Sequence, residues 1–177
     1  MSDLFTESSS QWLSRDELEA ARERLPMLYV DAVPVRVDET GTVTAFGLLL
    51  RVSGDGEISR ALISGRVLYQ ERVRTALLRH LEKDLGPLAL PKLPAHPQPF
   101  TVAEYFPIRG VTPFHDARQH AVSLAYVVPV EGDCHPQQDA LELAWFTPEQ
   151  AADPEVQQAM AGGQGTLLRQ ALAVCGF

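Results

Sequence analysis

A single α+β domain, a mixed β-sheet covered by helices, is the fold class this sequence predicts. Three observations carry the prediction. Two Val-rich alternating stretches, 28–37 and 42–52, flank the turn Asp38-Glu39-Thr40-Gly41 and read as a hairpin. Val73, Leu77, Leu81 and Leu85 recur every four residues, the spacing of one buried helical stripe. Further strand patterns precede the next helix signal at Thr147, so strands come in hairpins around a central helix instead of regular βαβ alternation. A chain of 177 residues, 45% hydrophobic and 21% charged, can bury one sizeable core, and no internal repeat or second domain is visible.

Each element has its own signal. Residues 1–11 are Ser-rich and poor in apolar side chains, which predicts a disordered tail ahead of a domain over 12–177. Ser14 with Glu17 three residues on is a capping-box signature, and Pro26 stops what it opens, so an N-terminal helix is expected within 12–25. The core, 28–151, begins with the hairpin. Ser53-Gly54-Asp55-Gly56 predicts a turn, and Ile58–Ile63 a short strand running into Gly65. The central helix is expected over 71–85, ended by Gly86 and Pro87. Pro91, Pro94 and Pro97 hold 88–98 as an extended loop. Strands are expected over 99–106, 121–130 and 141–146. Thr147 as N-cap with Pro148 at the first position opens a further helix, and 167–174 closes a helical C-terminal segment, 152–177.

Charge narrows the partners. With net charge −8 and 15 Lys plus Arg, the chain lacks the phosphate-neutralising surface of a nucleic-acid binder, while a nucleotide needs only a few local basic groups. No apolar run reaches the roughly 18 residues of a membrane span. The polar, acidic start does not resemble a secretory signal, and Cys134 and Cys175 have neither metal spacing nor a C-x-x-C arrangement. A cytoplasmic protein with reduced thiols is expected.

The stretch from Gly65 to Gly86 carries the chemistry. Gly65, Glu71, Arg79, Leu81 and Gly86 fall at the spacing of the pattern G-x5-E-x7-R-E-U-x-E-E-x-G-U, where U is bulky and apolar. His80, Lys83 and Asp84 stand where that pattern has its three helix glutamates, and Pro87 takes the last apolar position. The stretch resembles a Nudix box with a rewritten metal-binding half. Val30–Val35 resembles the family's opening strand, and Gly47–Arg51 the strand before the box. Residues 58–65 take the place of the W-x-L-P-G-G entry. His115–Tyr126 is similar to the D-P-R-x-x-x-V-S-x-A-Y segment of Nudix proteins acting on ADP-ribose-like compounds, and Leu143–Glu149 to the late W-F-t-p-e-e signature. The resemblance spans 28–151 and implies a Nudix-type α/β/α sandwich. More narrowly, the chain resembles an actinobacterial Nudix-like group of unassigned function with the same altered helix.

This resemblance implies cleavage of a nucleoside diphosphate linked to another moiety, with Mg or Mn held by helix carboxylates. Positions 80, 83 and 84 lie within about 100° of one another around a helix. Here they offer an imidazole, an ammonium and one carboxylate. Lys83 repels a divalent ion and could itself contact phosphate. Glu82 lies roughly 160° from Asp84 around the helix and does not restore the site. Several readings stay open. Asp84 with Glu104 could hold a weakened metal. His80 and Asp84, spaced i, i+4, could bind a transition metal with His115, His120 or Glu104, or make a plain intrahelical hydrogen bond. Lys83 with Arg66 and Arg79 could bind diphosphate with no metal, unless Arg79 is paired to Glu71. Gly65, Glu71, Arg79 and Gly86 read as structural residues of the loop and helix. Asp116 and Arg118 are candidates to contact ribose or phosphate, or to pair with each other. Asp84, His80 and His120 are the candidate catalytic groups, with His115 or His120 able to act as a base. Tyr105, Phe106 and Phe114 could stack on a base or belong to the core.

The expectation is a protein that binds a small nucleotide-like, ADP-ribose-like ligand, with hydrolysis in question and Mg, Mn or no metal as cofactor. The alternatives are an active metal-dependent Nudix hydrolase and a non-catalytic partner-binding domain. The resemblance also admits a homodimer.

Overall fold

Helix α1 (Arg15–Arg24) opens the structure, a computed structural model describing residues 12–52, 56–136 and 140–177. The expected tail over 1–11 and most of the expected turn at 53–56 lie outside the described residues. Ser14 caps α1 as its sequence predicts. Its Oγ accepts from the Glu17 amide, and Glu17 Oε2 accepts from the Ser14 amide, completing the capping box.

The sheet is built outward from β1 (Met27–Val37). This strand pairs antiparallel with β2 (Val43–Val52) at its C-terminal end and parallel with β6 (Ala121–Pro129) from Met27 to Val35. β5 (Thr101–Tyr105) adds antiparallel to β6, and β7 (Ala140–Phe146) antiparallel to β2. The result is a mixed sheet of 7 strands. Every residue of β1 from Val30 to Val35 is buried, which requires a layer on each face. Alternation sends Val33 and Val35 to one core cluster and Val30 and Ala32 to the other. On the second cluster lies α2 (Val73–Leu85), through Leu77, Leu81 and Leu85. On the first lies α5 (Gln164–Val174), through Leu167, Leu168, Ala171 and Leu172. The expected α/β/α sandwich is therefore observed. No helix among the described residues is long and apolar enough to cross a membrane.

The structure departs from expectation at several edges. The single strand expected over 58–63 is two: β3 (Ile58–Ala61) pairs with β2, and β4 (Ile63–Arg66) pairs with β1. Leu62 sits at the change of partner, and its amide donates to Gln164 Oε1 at 2.9 Å. Alternation continues through such a switch, so periodicity does not reveal it. α2 begins at Val73, not 71, because Glu71 stays in the preceding loop. Gly86 ends α2 with φ 86°, a left-handed value that favours glycine. At the C-terminus, Thr147 caps α3 (Pro148–Ala151) with a capping box to Gln150. α4 (Pro154–Gln158) and a 3-10 turn at Ala161–Gly163 then lead into α5, which starts at Gln164, earlier than the expected 167.

Candidate active site cleft

The box loop is locked from within. Arg79 reaches back from α2 and donates from Nε to Glu71 Oε1 at 2.8 Å and from Nη2 to Glu71 Oε2 at 2.9 Å. The same Nη2 donates to the Arg66 carbonyl at 2.9 Å, and the Leu68 amide donates to Glu71 Oε2 at 2.9 Å. The Arg79 guanidinium, more than any other group, holds the Glu71 carboxyl below its ordinary pKa. Of the two readings of Arg79, the structural pair is the one the geometry contains.

Beside this loop opens a cleft of about 1040 Å³, walled by β1, β2, β3, β4, α2, β5 and the 115–118 loop. Its lining brings together Arg51, Arg66, Arg79, Lys83 and Arg118, a cationic surface on a chain of net charge −8. Arg66 makes no side-chain ion pair or hydrogen bond to any described residue, so its guanidinium is free for a ligand.

The residues at the box's metal-binding positions do not fit a divalent ion. Asp84 is 1% exposed and lies behind the lining. Its Oδ2 accepts from Arg51 Nη2 at 2.6 Å, and its Oδ1 faces Lys83 Nζ at 2.9 Å. Both carboxylate oxygens are thus taken by cations. Among the described residues no three His, Cys, Asp or Glu side chains converge as a metal site. Glu104 does not join Asp84: it is exposed, while its neighbour Tyr105 points inward to the cleft.

The His80 ring makes its contact with Arg66. Its Nε2 lies 3.0 Å from the Arg66 carbonyl, which only accepts, so Nε2 carries the proton. Nδ1 is buried with no partner among the described residues. Burial is the main cause of a depressed imidazole pKa, partly offset by the Arg66 bond. The ring is therefore neutral at neutral pH, with no hydrogen bond to Asp84. The ring also accounts for Gly65, because a Cβ at 65 would overlap the imidazole.

The 115–120 loop is divided. Arg118 donates from Nε to Asp116 Oδ1 and from Nη2 to Asp116 Oδ2, each at 2.9 Å, and Gln119 Nε2 adds a third side-chain donor at 2.9 Å. Burial opposes ionisation of Asp116, but the Arg118 bonds outweigh it and keep the pKa below the usual value. Asp116 and Arg118 pair with each other and also line the cleft, as does His115. His120 is outside the lining and stacks on Phe106, centroids 4.4 Å apart. Phe114 is core, and Tyr105 is core at its ring while its hydroxyl donates to buried Asp31 at 3.1 Å. Asp31 itself is pushed up in pKa, chiefly by burial.

Sequence reasoning missed Arg51, Trp12 and Tyr29 as cleft residues. Arg51 carried a weak signal, since it ends the strand before the box.

Comparison with solved structures gives the same fold. A protein from Jonesia denitrificans, described as a possible asymmetric diadenosine tetraphosphate hydrolase, is 67% identical, covering 86% of this chain and 96% of that one with TM-score 0.84. The NUDIX domain of Shewanella oneidensis NrtR, in a cocrystal structure with ADP-ribose, is 18% identical over 92% of this chain and 99% of that one, TM-score 0.60. A NUDIX hydrolase from Nitrosomonas europaea is 12% identical over 84% and 90%, TM-score 0.61. No curated protein matches the chain significantly. The fold is the one these NUDIX proteins share. The chain belongs to the family described as Domain of unknown function (DUF4916), matched over residues 8–177.

Proposed function

We propose that this protein binds a nucleoside-diphosphate-linked, ADP-ribose-like compound through fixed cations, without a divalent metal and without turning it over. The observation that carries this reading is the Arg51–Asp84–Lys83 cluster. It places Lys83 on the cleft at a position where the box pattern has a glutamate, brings Arg51 of β2 beside it, and occupies the one carboxylate that remains at those positions. Arg66 and Lys83 take the diphosphate, since both line the cleft and the Arg66 side chain has no ion pair or hydrogen bond among the described residues. Arg118, oriented by Asp116, contacts ribose or phosphate. His80 and Asp84 act as packing and neutralising groups, and His120 has no role in the cleft.

A second reading, metal-dependent hydrolysis of a dinucleoside polyphosphate, is favoured by the description of the 67% identical relative. Thermal shift separates the two, because a ligand that binds the native state raises the midpoint. ADP-ribose, diadenosine tetraphosphate and nucleoside triphosphates are each tested with and without Mg or Mn. The expected result is stabilisation without metal that is lost in Lys83→Ala and in Arg66→Ala. Stabilisation only with metal, accompanied by product release, would establish the second reading against the first. No shift with any ligand would reject both.

A further inference from the structure

Trp12 is 55% exposed, yet it lines the cleft. A large indole left in water at the mouth of a cationic cleft invites an aromatic partner. Arg79 holds the ring directly, and the helix that follows is anchored separately. The Arg79 guanidinium carbon lies 5.4 Å from the ring centroid, and Arg79 is itself pinned by Glu71 and the Arg66 carbonyl. The Ser14–Glu17 capping box fixes how the chain leaves Trp12 to enter α1. α1 is tied in turn to the Asp116 loop, because Arg22 Nε donates to Gln119 Oε1 at 2.9 Å and Gln119 donates to Asp116. α1 contributes no fully buried residue and packs on the core through half-buried Leu18 and Ala21, which holds the helix that follows Trp12 against the domain. Half-buried Tyr29 lines the same cleft.

We infer that Trp12 is the stacking platform for the nucleobase of a ligand whose diphosphate lies on Arg66 and Lys83. The inference rests on the proposed diphosphate-binding function and adds the aromatic half of the ligand. Stacking on an indole reads the π-face of a base and so tolerates any nucleobase.

The test is calorimetric titration of the full chain with ADP and, separately, with inorganic diphosphate, both without divalent metal. Trp12→Ala is expected to weaken ADP on the order of ten-fold, the scale of one lost base–aromatic stack. Inorganic diphosphate is expected to bind the variant and the wild type equally, and Trp12→Phe to recover part of the ADP affinity. If ADP binds Trp12→Ala as tightly as wild type, the stacking role is rejected while diphosphate binding stands. Equal weakening of both ligands would also reject it, showing that Trp12 acts through Arg79 or the fold. Failure of wild type to bind either ligand would overturn the diphosphate reading and this inference with it.

Discussion

His80 and Gly65 are packed ring against backbone, so each constrains the other. The imidazole fills the space above residue 65, and only a residue without a Cβ leaves room for the ring. The ring is kept neutral by burial, and that has a consequence for pH. In the unfolded chain the imidazole titrates near its ordinary 6.5, and in the folded chain lower. Between those values the unfolded state binds more protons, so this group's effect on stability becomes unfavourable as pH falls below about 6.5. His80→Gln cannot titrate. Urea unfolding from about pH 7 to 5.5 is therefore expected to show wild type losing stability relative to His80→Gln, and a constant difference across that range would refute the assignment.

At the scale of elements, α2 and β2 are joined by charge as well as by packing. Arg51 of β2 and Lys83 of α2 both meet the buried Asp84. Removing the central charge leaves two cations facing each other in a partly buried place. Asp84→Asn is expected to cost about 3 kcal/mol in chemical denaturation. Lys83→Ala leaves Asp84 paired to Arg51 and is expected to cost under about 1 kcal/mol, so its loss of ligand binding reads as a site effect. A similar cost for both variants would show that Lys83 is structural. The box residues Gly65, Glu71, Arg79 and Gly86 were legible in the sequence because their spacing is local to one loop and one helix. Arg51 was not, because it meets Asp84 from 33 residues away on another strand.

Across the whole molecule, two layers of helix cover one sheet, and the C-terminal segment supplies one of them. Leu168 is fully buried in the cluster that α5 builds against β1 and β6. Leu168→Ala is expected to destabilise the protein by about 2–5 kcal/mol, as large-to-small core changes do, and thermal denaturation would show it. A shift near zero would mean that α5 is an appendage. The resemblance read from the sequence ended near residue 151, so the integral role of α5 emerged only from its packing.

The amino-acid sequence by itself determined most of the strands, the central helix with its Gly86 stop, and the spacing of the box, because these follow from short-range periodicity and spacing. It also placed His80, Lys83 and Asp84 at the positions where the box pattern has glutamates. How Arg51 meets Asp84, which carbonyl His80 contacts, and where Trp12 stands were decided by the tertiary structure alone. Each depends on residues distant in the chain, brought together where strands exchange neighbours and a helix crosses them. Local periodicity carries no record of that meeting.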